Sequence, residues 1–288
     1  MPKFWAIRYP LGPLQAGIEE EHMYILSFDF MQRALIAGIM TAVLSSVIGV
    51  FIVLRRMSLV GDSLSHSALA GVAAGMLFGF YPFYGALIFS VLAALLIEYI
   101  REAFEKYAEV ALAVVMCGGM GLAVVLISLG KSFNADLFSY LFGSLMAVSP
   151  ADIMLISVVS LFIITSIMLI SRELYSITFD EEAARLSGIP VKAINLFFTI
   201  LTALSVALSV RVVGTLLVSA LMVIPAAISL QIARSFKETF AISVGVALFS
   251  VIAGLFASFY FDLAPGGTIV LIASALLMMI LIFKRYRS

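Results

Sequence analysis

The chain has 288 residues, of which 63% are hydrophobic and 12% are charged, and its formal net charge is zero. A soluble domain carries about twice that share of charged residues, so the composition excludes an ordinary soluble protein and indicates one that crosses a membrane several times. The apolar runs are about 20 residues long, which favours membrane helices over the alternating strands of a barrel. The only cysteine, Cys117, excludes a disulfide framework and a cysteine metal cluster.

Residues 1–29 are predicted to form an extracytoplasmic segment. This stretch lacks the apolar core of a cleavable signal peptide, and it carries three consecutive glutamates. The remainder, residues 30–288, is predicted to be a single transmembrane domain, because runs long enough to span a membrane follow one another closely. The predicted spans are 30–54, 63–80, 83–100, 110–130, 152–171, 191–210, 212–233, 238–261 and 267–283.

Eight or nine of these segments are expected to be transmembrane helices. The segment 63–80 begins among polar residues, and only Arg211 separates 191–210 from 212–233. Between the fourth and fifth spans, residues 131–151 are too many for a plain turn and are predicted to include a short interfacial helix. The fold class predicted is therefore an all-α integral membrane protein.

The second span carries glycines at positions 71, 75 and 79. Small residues at this spacing permit two helices to approach closely. We therefore expect this helix to pack against protein rather than lipid.

The distribution of lysine and arginine predicts the orientation in the membrane. Placing the N-terminus outside puts twelve of the 17 basic residues in the cytoplasm, including the three that follow the last span. The prediction is an N-terminus outside the cell and a C-terminus in the cytoplasm.

Residues 55–71 form a polar interruption that contains Asp62 and His66, one of two histidines in the chain. If the stretch is helical, the two side chains share one face and reach a single cation. An ionisable pair beside a membrane span is costly and indicates a functional site. Carboxylate plus imidazole suits Mn, Zn or Fe better than Mg or Ca. A second interpretation stays open, in which Asp62 caps the helix through the amide of Leu64 or Ser65 and His66 is hydrogen-bonded inside the bundle.

The longest predicted cytoplasmic loop covers residues 171–190. Within it, Thr178 or Asp180 is a potential N-cap, glutamates follow in the first turn, and Gly188 precedes a proline that ends the helix. A short capped helix in this loop is a candidate docking element. The alternative is a surface helix that lies among the lipid headgroups.

Two charged residues fall on the predicted outer side. Arg211 either opposes an acidic group as part of a gate or is an interfacial arginine whose head reaches water. Asp262, between the last two spans, either attracts cations or begins a turn built on Pro-Gly.

The chain contains no nucleotide-binding motif. Gly130-Lys131-Ser132 imitates the end of a phosphate-binding loop, but position 125 is valine where that loop needs glycine. The motifs of zinc proteases and of serine hydrolases are also missing. Neither ATP hydrolysis nor another catalytic activity is therefore expected of this chain.

Four stretches together resemble the membrane permeases of bacterial and archaeal manganese/zinc/iron ABC importers. Residues 55–71 read Arg-Arg-Met-Ser-Leu-Val-Gly-Asp-Ser-Leu-Ser-His-Ser-Ala-Leu-Ala-Gly, which is similar to that family's Gly-Asp-Ala-x-Ser-His-Ala-x-Leu-Pro-Gly. The other stretches are 180–190, 213–227 and 262–270, in the same order as in the family. Ala70 departs from the family pattern, where proline is usual, and the N-terminal extension is longer.

The resemblance implies a bundle like that of type II ABC importers, with a homodimer of permeases, two copies of a separate ATPase and an extracytoplasmic metal-binding protein. The transported metal would be Mn, Zn or Fe, no cofactor would be permanently bound, and no nucleic acid is involved. Asp62 and His66 match the family's metal-contacting pair, and the loop matches its coupling helix near 180–190. The matched coupling residues are Asp180, Glu181, Glu182, Arg185, Leu186 and Gly188.

Two alternatives belong to other transport classes. An ion-coupled secondary transporter would use the same polar break but would need no ATPase at the loop. An ABC permease for siderophores or cobalamin would need a roomier and less ionisable path. A membrane enzyme is disfavoured because no nucleophile and base can be paired. The expected location is the multi-pass membrane of a prokaryotic cell.

Overall fold

The computed structural model describes residues 28–104, 108–130, 134–144 and 148–287. These residues form twelve helices and no strands, in agreement with the all-α prediction. The helices are α1 (Asp29–Leu54), α2 (Val60–Phe78), α3 (Pro82–Ala103), α4 (Ala108–Leu129), α5 (Asn134–Phe142), α6 (Pro150–Leu169), α7 (Ser171–Phe179), α8 (Glu181–Leu186), α9 (Val191–Val213), α10 (Val218–Ile232), α11 (Phe236–Phe261) and α12 (Pro265–Arg287).

Seven of these helices are long and apolar enough to cross a membrane, namely α1, α3, α4, α6, α9, α11 and α12. The other two predicted spans correspond to α2, which has polar residues in its first half, and α10, which has only 15 residues. The count of eight or nine spans therefore stays a prediction. Helix α5 lies where a short helix was expected, and residues 1–27 of the expected N-terminal segment lie outside the described residues.

The sequence predicts that one span ends and the next begins around Arg211, but in the structure the first helix continues to Val213. Arg211 lies inside the last turn of α9, and the chain turns at Gly214, whose φ of 88° favours glycine. The turn is held by α5, because the amide of Thr215 donates to the carbonyl of Tyr140 at 2.8 Å. A tertiary hydrogen bond, rather than the charge of Arg211, therefore determines where α9 ends.

Helix ends follow from local capping chemistry. Ser149 and Asp152 form a capping box at the start of α6, and the Ser235 hydroxyl accepts from the amide of Glu238 at the start of α11. Gly79 ends α2 in the left-handed conformation, with a φ of 76°.

The centre of the bundle is formed by α1, α2 and α9, whose residues are mostly buried. Helix α2 packs against α3 and α4 on one side and against α9 and α10 on the other. Two of the glycines noted in the sequence make the α2–α3 approach possible, since a Cβ on Gly71 would meet the Gly85 carbonyl and a Cβ on Gly75 would meet Pro82. The protein packing expected for this helix is thus observed.

Two clusters that contain charged side chains lie at opposite termini of α9. One end, the Arg55 end, contains the α1–α2 turn, the α7–α8 loop and the start of α9. The other, the Arg211 end, contains the start of α3, the start of α6 and the last turn of α9.

We predict that Gly71→Ala destabilises the protein by about 1–3 kcal/mol, because the added methyl group meets the backbone of α3, which cannot move aside. The thermal unfolding midpoint in detergent measures this effect. The matched control is Gly118→Ala in α4, where the new methyl group meets open space and alanine favours the helix. Equal midpoints for the two variants would contradict the close approach of α2 and α3.

Candidate functional site

Asp62 lies inside the first turn of α2 and is not its capping residue. The helix begins at Val60, and its N-cap, Leu59, makes no side-chain capping hydrogen bond. The carboxylate instead lies where the partial positive charge of the helix N-terminus favours a negative group. The interpretation of Asp62 as the cap of this helix is therefore not supported.

His66 follows one turn later on the same face of α2. Both side chains are partly exposed, whereas Ser63, Leu64 and Ser65 between them are buried. The ionisable face is thus the side of α2 that the rest of the chain leaves partly exposed. Residues on the other faces hold the helix in place, since the Ser63 hydroxyl donates to the Leu112 carbonyl of α4 at 2.8 Å.

The His66 ring has one nitrogen that the chain leaves without a hydrogen bond, as it does several other shielded side-chain atoms of the described residues. Its Nδ1 is shielded from solvent and has no hydrogen-bond partner among the described residues. A shielded polar atom without a partner is costly, and it commonly indicates an absent ligand, water or ion. The proposal that His66 is simply hydrogen-bonded inside the bundle is thus not supported for this nitrogen.

The structure provides two metal-ligating groups at this position in one chain. In the described part of the chain, no three His, Cys, Asp or Glu residues are close enough together to hold a metal ion. A carboxylate and an imidazole suit first-row divalent ions. Asp62 and His66 alone are fewer ligands than such an ion takes, so the described part of the chain does not contain a complete metal site.

The Arg55 end is organised around one guanidinium group. Arg55 donates to the Thr178 hydroxyl at 3.0 Å and to the Asn195 side-chain oxygen at 2.9 Å, and it lies over the Phe198 ring. Burial lowers the pKa of Arg55 to about 10, and repulsion from Arg101 contributes in the same direction. The side chain remains charged at neutral pH and depends on these partners.

A cavity of about 600 Å³ adjoins Arg55. Its lining combines Arg55, Arg56 and Arg101 with the carboxylates of Glu109 and Glu181. The cavity therefore lies between the α1–α2 turn, the ends of α3 and α4, and the first residue of α8.

The loop helix predicted between 180 and 190 is present as α8. Asp180 caps it by accepting from the amide of Ala183 at 2.9 Å, and Gly188 ends it with a φ of 83°. Ala184 is buried against the bundle, whereas Leu186 is 90% exposed. The remaining matched residues, Glu181, Glu182 and Arg185, are also exposed.

Arg211 is buried rather than extended towards water. It pairs with the fully buried Asp152 at 3.4 Å and donates to the Tyr81 hydroxyl at 2.8 Å, which in turn donates to Asp152 at 2.7 Å. The Tyr140 ring lies 4.8 Å from the guanidinium. This cluster joins α3, α5, α6 and α9.

Asp262 lies apart from this arrangement as an exposed residue. It ends α11 in the left-handed conformation, with a φ of 51°, as expected for a turn. The gate formed by Arg211 and Asp262 stays a prediction, whereas the ion pair observed for Arg211 is made with Asp152. Sequence analysis missed Asp152, although its position three residues after Ser149 is a capping-box signal.

Comparison with known proteins gives consistent matches over nearly the whole chain. The pattern of the ABC 3 transport family matches residues 27–284. The chain is 32% identical over 260 residues to the high-affinity zinc uptake system membrane protein ZnuB of Haemophilus influenzae, covering 90% of this chain and 99% of that protein. It is 33% identical over 260 residues to the manganese transport system membrane protein MntC of Halalkalibacterium halodurans, covering 90% and 89%.

A solved structure matches as well. It is described as PsaBC from Streptococcus pneumoniae in complex with Fab, and its matching chain is 32% identical to this one. The TM-score is 0.81, and the match covers 92% of this chain and 95% of that chain.

We predict that Arg211→Met destabilises the fold by about 3–5 kcal/mol, because it leaves the buried carboxylate of Asp152 without its counter-charge. Adding Asp152→Asn to this variant should restore part of the loss, since the amide is neutral. Thermal unfolding midpoints of the purified protein measure both effects.

The control is Arg33→Met, which removes an arginine from an exposed ion pair with Asp29. Exposed pairs contribute at most about 1 kcal/mol, so this midpoint should change little. The buried-pair interpretation fails if Arg211→Met and Arg33→Met unfold at the same temperature.

Proposed function

We propose that this chain, which belongs to the ABC 3 transport family, carries Mn, Zn or Fe into the cytoplasm. As a member of that family, it is a membrane transport subunit rather than an enzyme. The relatives support a metal cargo, since those named above are a zinc uptake protein and a manganese transport protein. The metal is a substrate that passes through, and no permanently bound cofactor is proposed.

The observation that carries the proposal is the shielded, unpartnered Nδ1 of His66 beside the Asp62 carboxylate. A metal ion bound at this position would satisfy a nitrogen that no described residue satisfies. The same ligands serve Mn, Zn and Fe, because selectivity among these ions comes from geometry and availability more than from ligand type. The choice of metal is therefore left open within this group.

A second copy of the chain is proposed to complete the site. Asp62 and His66 lie on the face of α2 that one protomer leaves partly exposed, so a symmetric partner facing it would supply the same two groups. Homo-oligomers most often adopt twofold symmetry, which brings identical surfaces together. Four ligands would then surround the ion at the dimer axis.

The energy source is proposed to be a separate ATPase, present in two copies. Helix α8 is the proposed docking element, with Asp180 as its cap and Leu186 exposed at its end. An extracytoplasmic metal-binding protein is proposed to deliver the ion. With the N-terminus outside, the Arg55 end and α8 would face the cytoplasm and the Arg211 end would face the delivery protein.

The proposed mechanism is alternating access around the Asp62–His66 pair. The delivery protein would release the ion on the outer side, where the pairs of the two protomers would hold it briefly. Closure of the ATPases would then push α8 and open the site towards the cytoplasm. Because each chain supplies only two ligands, separation of the protomers would weaken the site and release the ion.

We predict that Asp62→Asn and His66→Gln each abolish metal uptake, because each removes one of the two ligating groups in every protomer. The complex should still assemble and hydrolyse ATP. Uptake of Mn²⁺ and Zn²⁺ into proteoliposomes that contain the permease, its ATPase and its metal-binding protein measures the effect.

The matched control for these variants is Asp29→Asn, which neutralises an exposed carboxylate at the start of α1 and should transport normally. Wild-type uptake by both site variants would reject the metal site. Uptake that persists without the ATPase but stops when the ion gradient collapses would instead favour a secondary transporter.

We also predict that Leu186→Ser weakens binding of the ATPase by about tenfold or more, because it removes an exposed apolar anchor from the docking helix. The dissociation constant for the ATPase on permease held in nanodiscs measures this effect. Tyr286→Ser is the control, since Tyr286 is also 90% exposed but lies at the end of α12. Equal affinities for the two variants would exclude α8 as the docking site.

A further inference from the structure

We propose that Arg55 is the positioning residue that transmits movement of the docking helix α8 to the metal-site helix α2. This inference rests on the proposed function and deepens it, since it concerns how ATP use is coupled to the same site.

The first step connects α8 to Arg55. Helices α7 and α8 share a single residue between them, because Asp180 is both the C-cap of α7 and the N-cap of α8. Arg55 contacts α7 twice, donating to the Thr178 hydroxyl at 3.0 Å and to the Leu174 carbonyl at 3.5 Å. A displacement of α8 that carries α7 with it must therefore either move Arg55 or break these hydrogen bonds.

The second step connects Arg55 to the metal site. Arg55 is the C-cap of α1, and only the short turn of residues 56–59 separates it from α2. This turn is internally hydrogen-bonded, since the amide of Met57 donates to the Ile52 carbonyl at 2.9 Å and the amide of Val60 donates to the Met57 carbonyl at 3.0 Å. Asp62 lies in the first turn of α2, directly after it.

Breaking the hydrogen bonds of Arg55 would cost free energy. Arg55 is largely buried, and its charge is satisfied by acceptors on α7 and by Asn195 of α9. Releasing any of them leaves a desolvated cation, which is more costly than losing a neutral hydrogen bond. Arg55 and its acceptors on α7 therefore tend to move together, or Arg55 exchanges all of these acceptors at once. The adjoining cavity of about 600 Å³ provides the space for this movement.

The aromatic residues around this position strengthen the link. The Phe51 ring of α1 contacts the Phe198 ring of α9 and the Phe236 ring of α11, and the Tyr175 ring of α7 lies 4.8 Å from Phe236. Helix α7 is thus linked to the last turn of α1 through the Phe236 ring of α11 as well as through Arg55.

The test uses the complete complex in proteoliposomes and measures transported Mn²⁺ or Zn²⁺ per ATP hydrolysed. Arg55→Gln is expected to lower this ratio by about fivefold or more, the smallest factor typical of coupling between two sites. ATP hydrolysis should continue, since Arg55 touches neither the docking surface of α8 nor the metal. Arg55→Lys keeps the charge but loses the multiple donors, so an intermediate ratio is expected.

Arg56→Gln is the matched control. Arg56 is the neighbouring arginine and lines the same cavity, but it is exposed and its side chain makes no hydrogen bond or ion pair with the described residues of α7. A second pair of variants keeps the test decisive if Arg55→Gln fails to fold. Thr178→Val removes the hydroxyl that accepts from Arg55 while preserving shape, and Thr178→Ser retains it.

The inference is supported if Arg55→Gln and Thr178→Val lower the ratio while Arg56→Gln and Thr178→Ser match the wild type. It is overturned if Arg55→Gln transports with the wild-type ratio, or if uptake and ATP hydrolysis fall in the same proportion. When Arg55→Gln does not fold, a wild-type ratio for Thr178→Val overturns it. Failure of the proposed function itself would be seen in the wild-type complex, which would hydrolyse ATP and carry none of these metals.

Discussion

The structure depends on keeping one polar helix out of lipid. Helix α2 carries Asp62, His66 and several serines in its first half, and hydrocarbon cannot satisfy such groups. The fold meets this constraint by surrounding α2 with α3, α4, α9 and α10. Glycines at positions 71 and 75 bring α3 so close that most of α2 is buried, and the face that carries the ionisable pair is the one left partly open.

Much of this arrangement could be predicted from local sequence. The apolar runs gave the all-α class, and the Asp180 cap with Gly188 predicted α8 because both signals depend on neighbouring residues only. The same is true of the shared face of Asp62 and His66, which follows once α2 is helical. The roles of the six matched loop residues and of the metal pair still rest on family resemblance.

The rest depends on contacts between residues far apart in the chain. The sequence predicts Arg211 to be an interfacial residue or a gate residue that opposes an acidic group, but its partners are Asp152 and Tyr81, which are 59 and 130 positions away. The end of α9 at Gly214 likewise depends on the Tyr140 carbonyl of α5. Periodicity and capping signals contain no information about such pairings, so they do not predict the partners of Arg55 on α7 and α9 either.

The two ends of the bundle differ in a way that bears on mechanism. At the Arg211 end, the buried guanidinium of Arg211 is surrounded by the Asp152 carboxylate, the Tyr81 hydroxyl and aromatic rings. These groups come from four different helices and pack tightly together. At the Arg55 end, the partly buried guanidinium donates its hydrogen bonds to neutral acceptors, and the cavity of about 600 Å³ that it borders also contains carboxylates. Hydrogen bonds to neutral acceptors can be exchanged at lower cost than a buried ion pair, and empty polar space permits the exchange. If the bundle opens by tilting its helices, the Arg55 end is therefore where the first displacement costs least, and it is also the end that carries α8.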